Sequence, residues 1–97
     1  RQDSVEKIRD ALERLKTYYT TLDKKCSSKK IVNDMANGHD DFVELFNAEF
    51  RILTDIGNNY RIRHHETNKI DIIDIRYYDY LFNRCLSLIA LAIQYLE

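Results

Sequence analysis

The sequence contains no proline, and its only glycines are Gly38 and Gly57. Because these residues break helices and form turns, their scarcity favours long helices joined by few connections. The apolar run 86–96 is too short to cross a membrane, and no signal-peptide pattern precedes the first periodic segment. A formal charge of −1 provides no global positive field for nucleic acid, so any anion site must come from a local cluster.

Cysteine is also scarce, since only Cys26 and Cys85 occur and neither lies in a metal-ligand or CxxC spacing. This usage predicts free thiols and a cytoplasmic protein. The chain of 97 residues has room for one core, and its 44% hydrophobic content is sufficient to build it. We therefore expect a single helical-bundle domain over 1–97, excised from a longer protein because it begins at Arg1 rather than Met.

The first helix is predicted from Asp3, which has capping-box spacing to Glu6. Apolar residues then recur at steps of three and four over about three heptads, at Val5, Ile8, Leu12, Leu15, Tyr19 and Leu22. The opposite face is charged and is interpreted as solvated surface, with Glu6, Lys7, Arg9, Asp10, Glu13, Arg14 and Lys16.

Two lysine pairs at 24–25 and 29–30 flank a serine that we expect to cap a short connecting helix through Ala36. The dipeptide at 37–38 is predicted to stop that helix. A third helix is predicted from Asp40 or Asp41. Two of its faces look apolar, so we expect it to be central, with Phe42, Leu45, Phe46, Phe50, Leu53 and Ile56.

The isoleucines at 70–75 alternate with acids, as they would in a short strand, but no partner strand is visible in the sequence. We therefore interpret Asp71 or Asp74 as the N-cap of a last helix that continues to about Leu96. Its apolar stripe is wider than one partner helix requires, because Phe82, Leu86, Ile89 and Ile93 extend it. The sequence thus predicts an all-α fold, an antiparallel bundle of about four helices, with an interface on the last one.

The candidate functional segment is the polar run that follows the third helix. If it is helical, Arg61 and His65 lie one turn apart, so a guanidinium that binds phosphate would converge with an imidazole that transfers protons. This chemistry suits cleavage of a phosphodiester without a metal or another cofactor. The predicted catalytic residues are Arg61, His64 and His65, and the predicted substrate-binding residues are Asn58, Asn59, Tyr60, Arg63 and Glu66.

Two other interpretations of this segment remain open. The first is a metal site with histidine and carboxylate ligands, which would be His39, His64, His65 and Glu66. Consecutive histidines on a helix point about 100° apart, however, and the spacing of these residues is not diagnostic of a metal site. In the structural interpretation, the histidines lie at the carboxyl end of a helix, where cations favour the dipole, and Glu66 pairs with an arginine.

The order of a central helix, a polar Asn/Arg/His-His-Glu stretch, an isoleucine-rich connection and a long Tyr/Leu helix resembles the HEPN superfamily over about 41–96. The resemblance implies a helical bundle that pairs as a homodimer, and a metal-independent endoribonuclease of prokaryotic toxin–antitoxin or antiviral defence systems. The family motif is an arginine followed, after four to six positions, by a histidine. Here those positions hold Gly57, Asn58, Asn59 or Tyr60, so the arginine has either shifted to Arg61 or been lost.

Two functions follow as expectations. The first is a HEPN-like homodimer that binds and cuts RNA in a cleft beside residues 61–66, with an antitoxin or a larger defence complex as a further partner. The second is a catalytically inactive helical dimerisation or interaction module, indicated by the missing motif and by the wide stripe of the last helix. No membrane partner is expected.

Overall fold

The computed structural model describes residues 2–63 and 65–97. Its helices are α1 (Gln2–Leu15), α2 (Lys24–Ala36), α3 (Asp40–Asn59) and α4 (Ile75–Ala92), and a 3₁₀ turn follows at Ile93–Tyr95. α1 packs on α4 and α2 packs on α3, in a molecule of 39 × 25 × 19 Å. The prediction of an all-α fold with about four helices is confirmed, since the described residues form no strand.

Helix α1 ends at Leu15, so the prediction that its seam continues to Leu22 is wrong. The hydroxyl of Thr17 donates to the carbonyl of Arg14 (3.0 Å). In a continuing α-helix that carbonyl would accept from the amide of Tyr18. The amide of Tyr19 donates to the buried hydroxyl of Ser27 (3.2 Å) instead of to a carbonyl one turn back. These side-chain bonds satisfy the backbone outside the helix, and the chain turns towards α2.

Helix α2 is longer than predicted and is capped by a different residue. The Asp23 carboxylate accepts from the amide of Cys26 (2.7 Å), so the helix begins at Lys24 and no serine caps it. It ends, as predicted, where Asn37 and Gly38 adopt positive φ angles of 51° and 78°. Because α2 buries several apolar residues it is a core helix and not a connector, with Ile31, Val32, Met35 and Ala36 inside.

Helices α3 and α4 begin where the sequence indicates. α3 starts at Asp40, and Asp74 caps α4 by accepting from the amide of Arg76 (2.9 Å). The prediction that α3 is buried on two faces is wrong, since Phe42 is 51% and Leu45 is 55% exposed. Only one face of α3 therefore faces the core.

The core has a larger part and a smaller part. The larger part joins all four helices, through Leu12, Leu15, Ile31, Val32, Met35, Phe50, Leu53, Cys85, Leu88 and Ala92. The smaller part contains Val5, Ile62 and Leu81, and it lies beneath the polar segment that follows α3. Both cysteines are free thiols, as predicted, and burial raises the pKa of Cys85.

Among the described helices, none combines the length and the apolar content that crossing a membrane requires.

Candidate functional site

The polar segment leaves the helical path at the end of α3. After the amide of Tyr60 donates to Ile56 (2.9 Å), the amide of Arg61 donates to the carbonyl of Ile70 (2.7 Å). The amide of Ile70 returns a bond to the carbonyl of Asn59 (3.0 Å), which makes an isolated parallel bridge. These bonds join the two ends of the connection that follows α3, and its described residues from Arg61 onward are not helical, so Arg61 and His65 do not lie one helical turn apart.

Ile62 attaches this loop to the core. Its side chain is 2% exposed and packs with Val5 of α1 and Leu81 of α4. Its carbonyl accepts from the side-chain amide of Gln2 (3.0 Å). The two flanking arginines are less buried than Ile62, since the side chain of Arg61 is 29% and that of Arg63 is 28% exposed.

Arg63 binds two carboxylates of α1. Its Nε donates to Glu6 (3.1 Å) and its Nη2 donates to Asp10 (2.7 Å). Glu6 and Asp10 are one helical turn apart, so both carboxylates reach the same guanidinium. This part of α1 was predicted to be solvated surface, but it is the contact that holds the loop, and the Arg63 side chain is only 28% exposed.

A second contact joins α1 to the end of α3. The Arg9 guanidinium lies over Gly57, where an added Cβ would collide with it, and its Nη2 donates to the side-chain oxygen of Asn58 (3.2 Å). The Nε of Arg9 is buried and has no hydrogen-bond partner among the described residues. A glycine at position 57 therefore lets a charged side chain of α1 lie against α3.

Glu66 connects two parts of the loop after α3 through its carboxylate. Its carboxylate binds the Lys69 ammonium (2.7 Å) and accepts from the backbone amide of Arg63 (2.8 Å). These two hydrogen bonds hold the pKa of Glu66 below its ordinary value. The partner of Glu66 predicted by the structural interpretation was an arginine side chain, whereas the structure places lysine there.

The other described residues of the predicted site differ in exposure. Arg61 pairs with Asp71 (3.5 Å), and both line a polar pocket of about 370 Å³. His65 and Asn59 are exposed, and Tyr60 is 37% exposed. His64 lies outside the described residues.

Four of the predicted residues, Asn58, Arg61, Arg63 and Glu66, are engaged in contacts within the chain. Tyr60 and Arg61 also border pockets. In the described part of the chain, no three His, Cys, Asp or Glu side chains converge as metal ligands would.

An apolar groove of about 570 Å³ adjoins the polar pocket, and we call it the tyrosine groove. Its lining includes Tyr60, Ile73, Tyr77 and Tyr80, with Ile56 and Leu81 at its base. Ile73 is 86%, Tyr77 51% and Tyr80 59% exposed. Sequence reasoning missed this surface, although the step of three between Tyr77 and Tyr80 within α4 is a signal that could have found part of it.

We predict that Glu66→Gln lowers the free energy of unfolding by about 1 kcal/mol at neutral pH, because the charged contact with Lys69 is lost. The pKa of Glu66 is lower in the folded state than in the unfolded state. Its contribution to the free energy of unfolding is therefore fully present above the unfolded-state pKa and is lost as pH falls through the folded-state pKa. Denaturant unfolding at about pH 7 and about pH 3 measures this, and the difference from wild type should shrink at the lower pH.

Glu44→Gln is the matched control, since Glu44 is exposed on α3 and should not change the pH dependence. A difference between Glu66→Gln and wild type that is the same at both pH values would contradict the prediction.

Comparisons with known proteins do not place this chain in a family. No family model matches the sequence, no curated protein matches it, and no solved structure matches its fold. Its function is therefore inferred from the contacts, burial and charge of its own residues.

Proposed function

We propose that this chain is a helical interaction module that pairs with a second copy of itself through the tyrosine groove. The observation that carries the proposal is the exposure of Ile73, Tyr77 and Tyr80 side by side. Contiguous exposed apolar surface on a small domain marks an interaction site more often than isolated apolar residues do. Tyrosine is also among the residues that contribute most to binding at protein interfaces.

The charges around the groove favour a second copy as the occupant. Asp71, which lines the groove, pairs with Arg61 of the adjoining polar pocket (3.5 Å). Both signs of charge are therefore present at this edge of the groove. In a two-fold interface, where each surface meets itself, an arginine of one copy can face an aspartate of the other.

The net charge of −1 adds little repulsion between copies. A nucleic-acid ligand would need more positive charge than a single copy presents at this edge, because Arg61 is paired with Asp71.

The dimer is tested by Ile73→Asp, which places a charge in the groove. Wild type should sediment at twice the mass of 11.6 kDa, and the variant should sediment as a monomer. Ile73 precedes α4 and is exposed in the monomer, so the variant should keep its helical circular dichroism. The measurement is sedimentation velocity over a range of concentrations.

Ile52→Asp is the control, because Ile52 is 41% exposed on α3 and does not line the tyrosine groove. It should remain a dimer. A strictly monomeric wild type would sink the proposal, and so would an Ile73→Asp variant that stays dimeric.

A second candidate is the RNA-cleaving function that the HEPN resemblance implies. It is supported by the fact that the polar pocket containing Arg61 shares Asp71, Ile72 and Ile73 with the tyrosine groove. Dimerisation through that groove would bring the two polar segments towards one interface. The two free thiols favour the reducing cytoplasm, where a prokaryotic defence or toxin–antitoxin protein acts.

The proposed chemistry is a transesterification within RNA. A histidine at 64 or 65 removes the 2′-hydroxyl proton, the oxygen attacks the adjacent phosphorus, and an acid protonates the leaving 5′-oxygen. Arg61 would balance the charge that develops on the phosphoryl oxygens. The other predicted substrate contacts, from Asn59 and Tyr60, would lie along the same edge of the groove.

Purified protein should degrade single-stranded RNA in the presence of a metal chelator. The double variant His64→Ala/His65→Ala should lose activity by at least about 100-fold, the lower end of what general acid–base groups contribute. The monomeric Ile73→Asp variant should also be inactive if the cleft is shared between copies. Equal cleavage by wild type and the double histidine variant would remove the proposed catalytic site.

A further inference from the structure

A second groove, of about 480 Å³, lies where the end of α1, the start of α2 and the middle of α3 meet, and we call it the lysine groove. It does not share a lining residue with the tyrosine groove. Four cationic side chains line it: Lys16, Lys24, Lys25 and Arg51. The fold thus gathers charges that are up to 35 positions apart in the sequence.

Two of these cations already have an acidic partner. Lys16 is 7% exposed, and its ammonium binds Glu13 (3.1 Å) and the hydroxyl of Thr54. Lys24 binds the other oxygen of the same carboxylate (3.2 Å). Burial alone would raise the pKa of Glu13. The hydrogen bonds and charges of the two lysines together outweigh that effect, so the pKa of Glu13 lies below its ordinary value.

The other two cations, Lys25 and Arg51, form no ion pair or side-chain hydrogen bond within residues 2–63 and 65–97. Lys25 is close enough to Asp23 to lower its pKa, but that carboxylate is already bonded to the amide of Cys26 as the cap of α2. Four cations against Glu13 and Asp23 leave the groove with an excess of positive charge.

The position of these lysines in α2 adds to that excess. Lys24 and Lys25 occupy the first turn, where the helix dipole disfavours cations, and this turn contains no acidic residue. The Asp23 carboxylate already binds the amide of Cys26 at this helix end, so an anion bound at the groove would be stabilised mainly by the cations.

We infer that the lysine groove binds a phosphate group, with Lys25 and Arg51 as its principal contacts. Arginine can bind two phosphate oxygens in parallel, and a lysine ammonium adds a compact positive charge. The hydroxyls of Ser28 and Thr54 line the same groove and can donate or accept further hydrogen bonds.

The apolar part of the groove indicates what the phosphate is attached to. Phe50 lines the groove, and the methylene stems of the lysines that line it are apolar as well. A free phosphate would use only the charged part. A phosphate monoester with an aromatic substituent would also cover the apolar part, and should therefore bind more tightly.

The test is a ¹H–¹⁵N NMR titration of the whole chain with inorganic phosphate and, separately, with phenyl phosphate, at constant ionic strength. Both should produce saturable shifts of the amides at the start of α2. Lys25→Gln and Arg51→Gln should each weaken binding by about tenfold, as expected when one charged hydrogen bond is lost. Lys7→Gln removes the same charge from an exposed position of α1 outside the lysine groove, and it should bind as wild type does.

Tighter binding of phenyl phosphate identifies a monoester as the ligand, and equal binding of the two probes identifies free phosphate. Shifts that grow without saturation and match those caused by chloride would overturn the inference. So would equal affinities for Lys25→Gln, Arg51→Gln and Lys7→Gln. Since none of these residues lines the tyrosine groove, failure here leaves the dimer proposal standing.

Discussion

The arrangement of the candidate site depends on one contact, the binding of Arg63 by Glu6 and Asp10 of α1. Two carboxylates one turn apart receive two nitrogens of a single guanidinium, which fixes both the position and the orientation of the loop after α3. Breaking such a contact at a partly buried position costs more than it does on open surface, because the remaining charges keep only part of their hydration. α1 therefore acts as the support on which the polar segment rests.

This support explains why the molecule presents two different surfaces. With Ile62 buried and the ends of the loop joined at Tyr60 and Ile70, the connection to α4 must pass over the outside of the bundle. That path leaves Ile73 and Tyr77 exposed next to the pocket of Arg61. The polar residues are thus satisfied mainly within the chain, and the apolar ones are the surface that a partner can still bury.

The sequence predicts those features that depend on neighbours along the chain. The stop at 37–38 follows from residues that tolerate positive φ, and the cap at Asp74 follows from its place before an apolar helix. The end of α1 depends on Ser27, which lies in another helix, and no local pattern indicates that its hydroxyl binds a distant amide. The contacts of Arg63 could not be predicted for the same reason, since its partners are 53 and 57 positions away. The exposure of Tyr77 likewise depends on how the bundle packs.

The most direct test of this account is a double-mutant cycle between Arg63 and Asp10. Unfolding of wild type, Arg63→Ala, Asp10→Ala and the double variant gives the free energy by which the two side chains interact. We predict a stabilising interaction of about 1 kcal/mol, the upper range for ion pairs that retain some solvent contact. If the effects of the two single substitutions are additive, the contact between Arg63 and Asp10 does not stabilise the fold, and the account is contradicted.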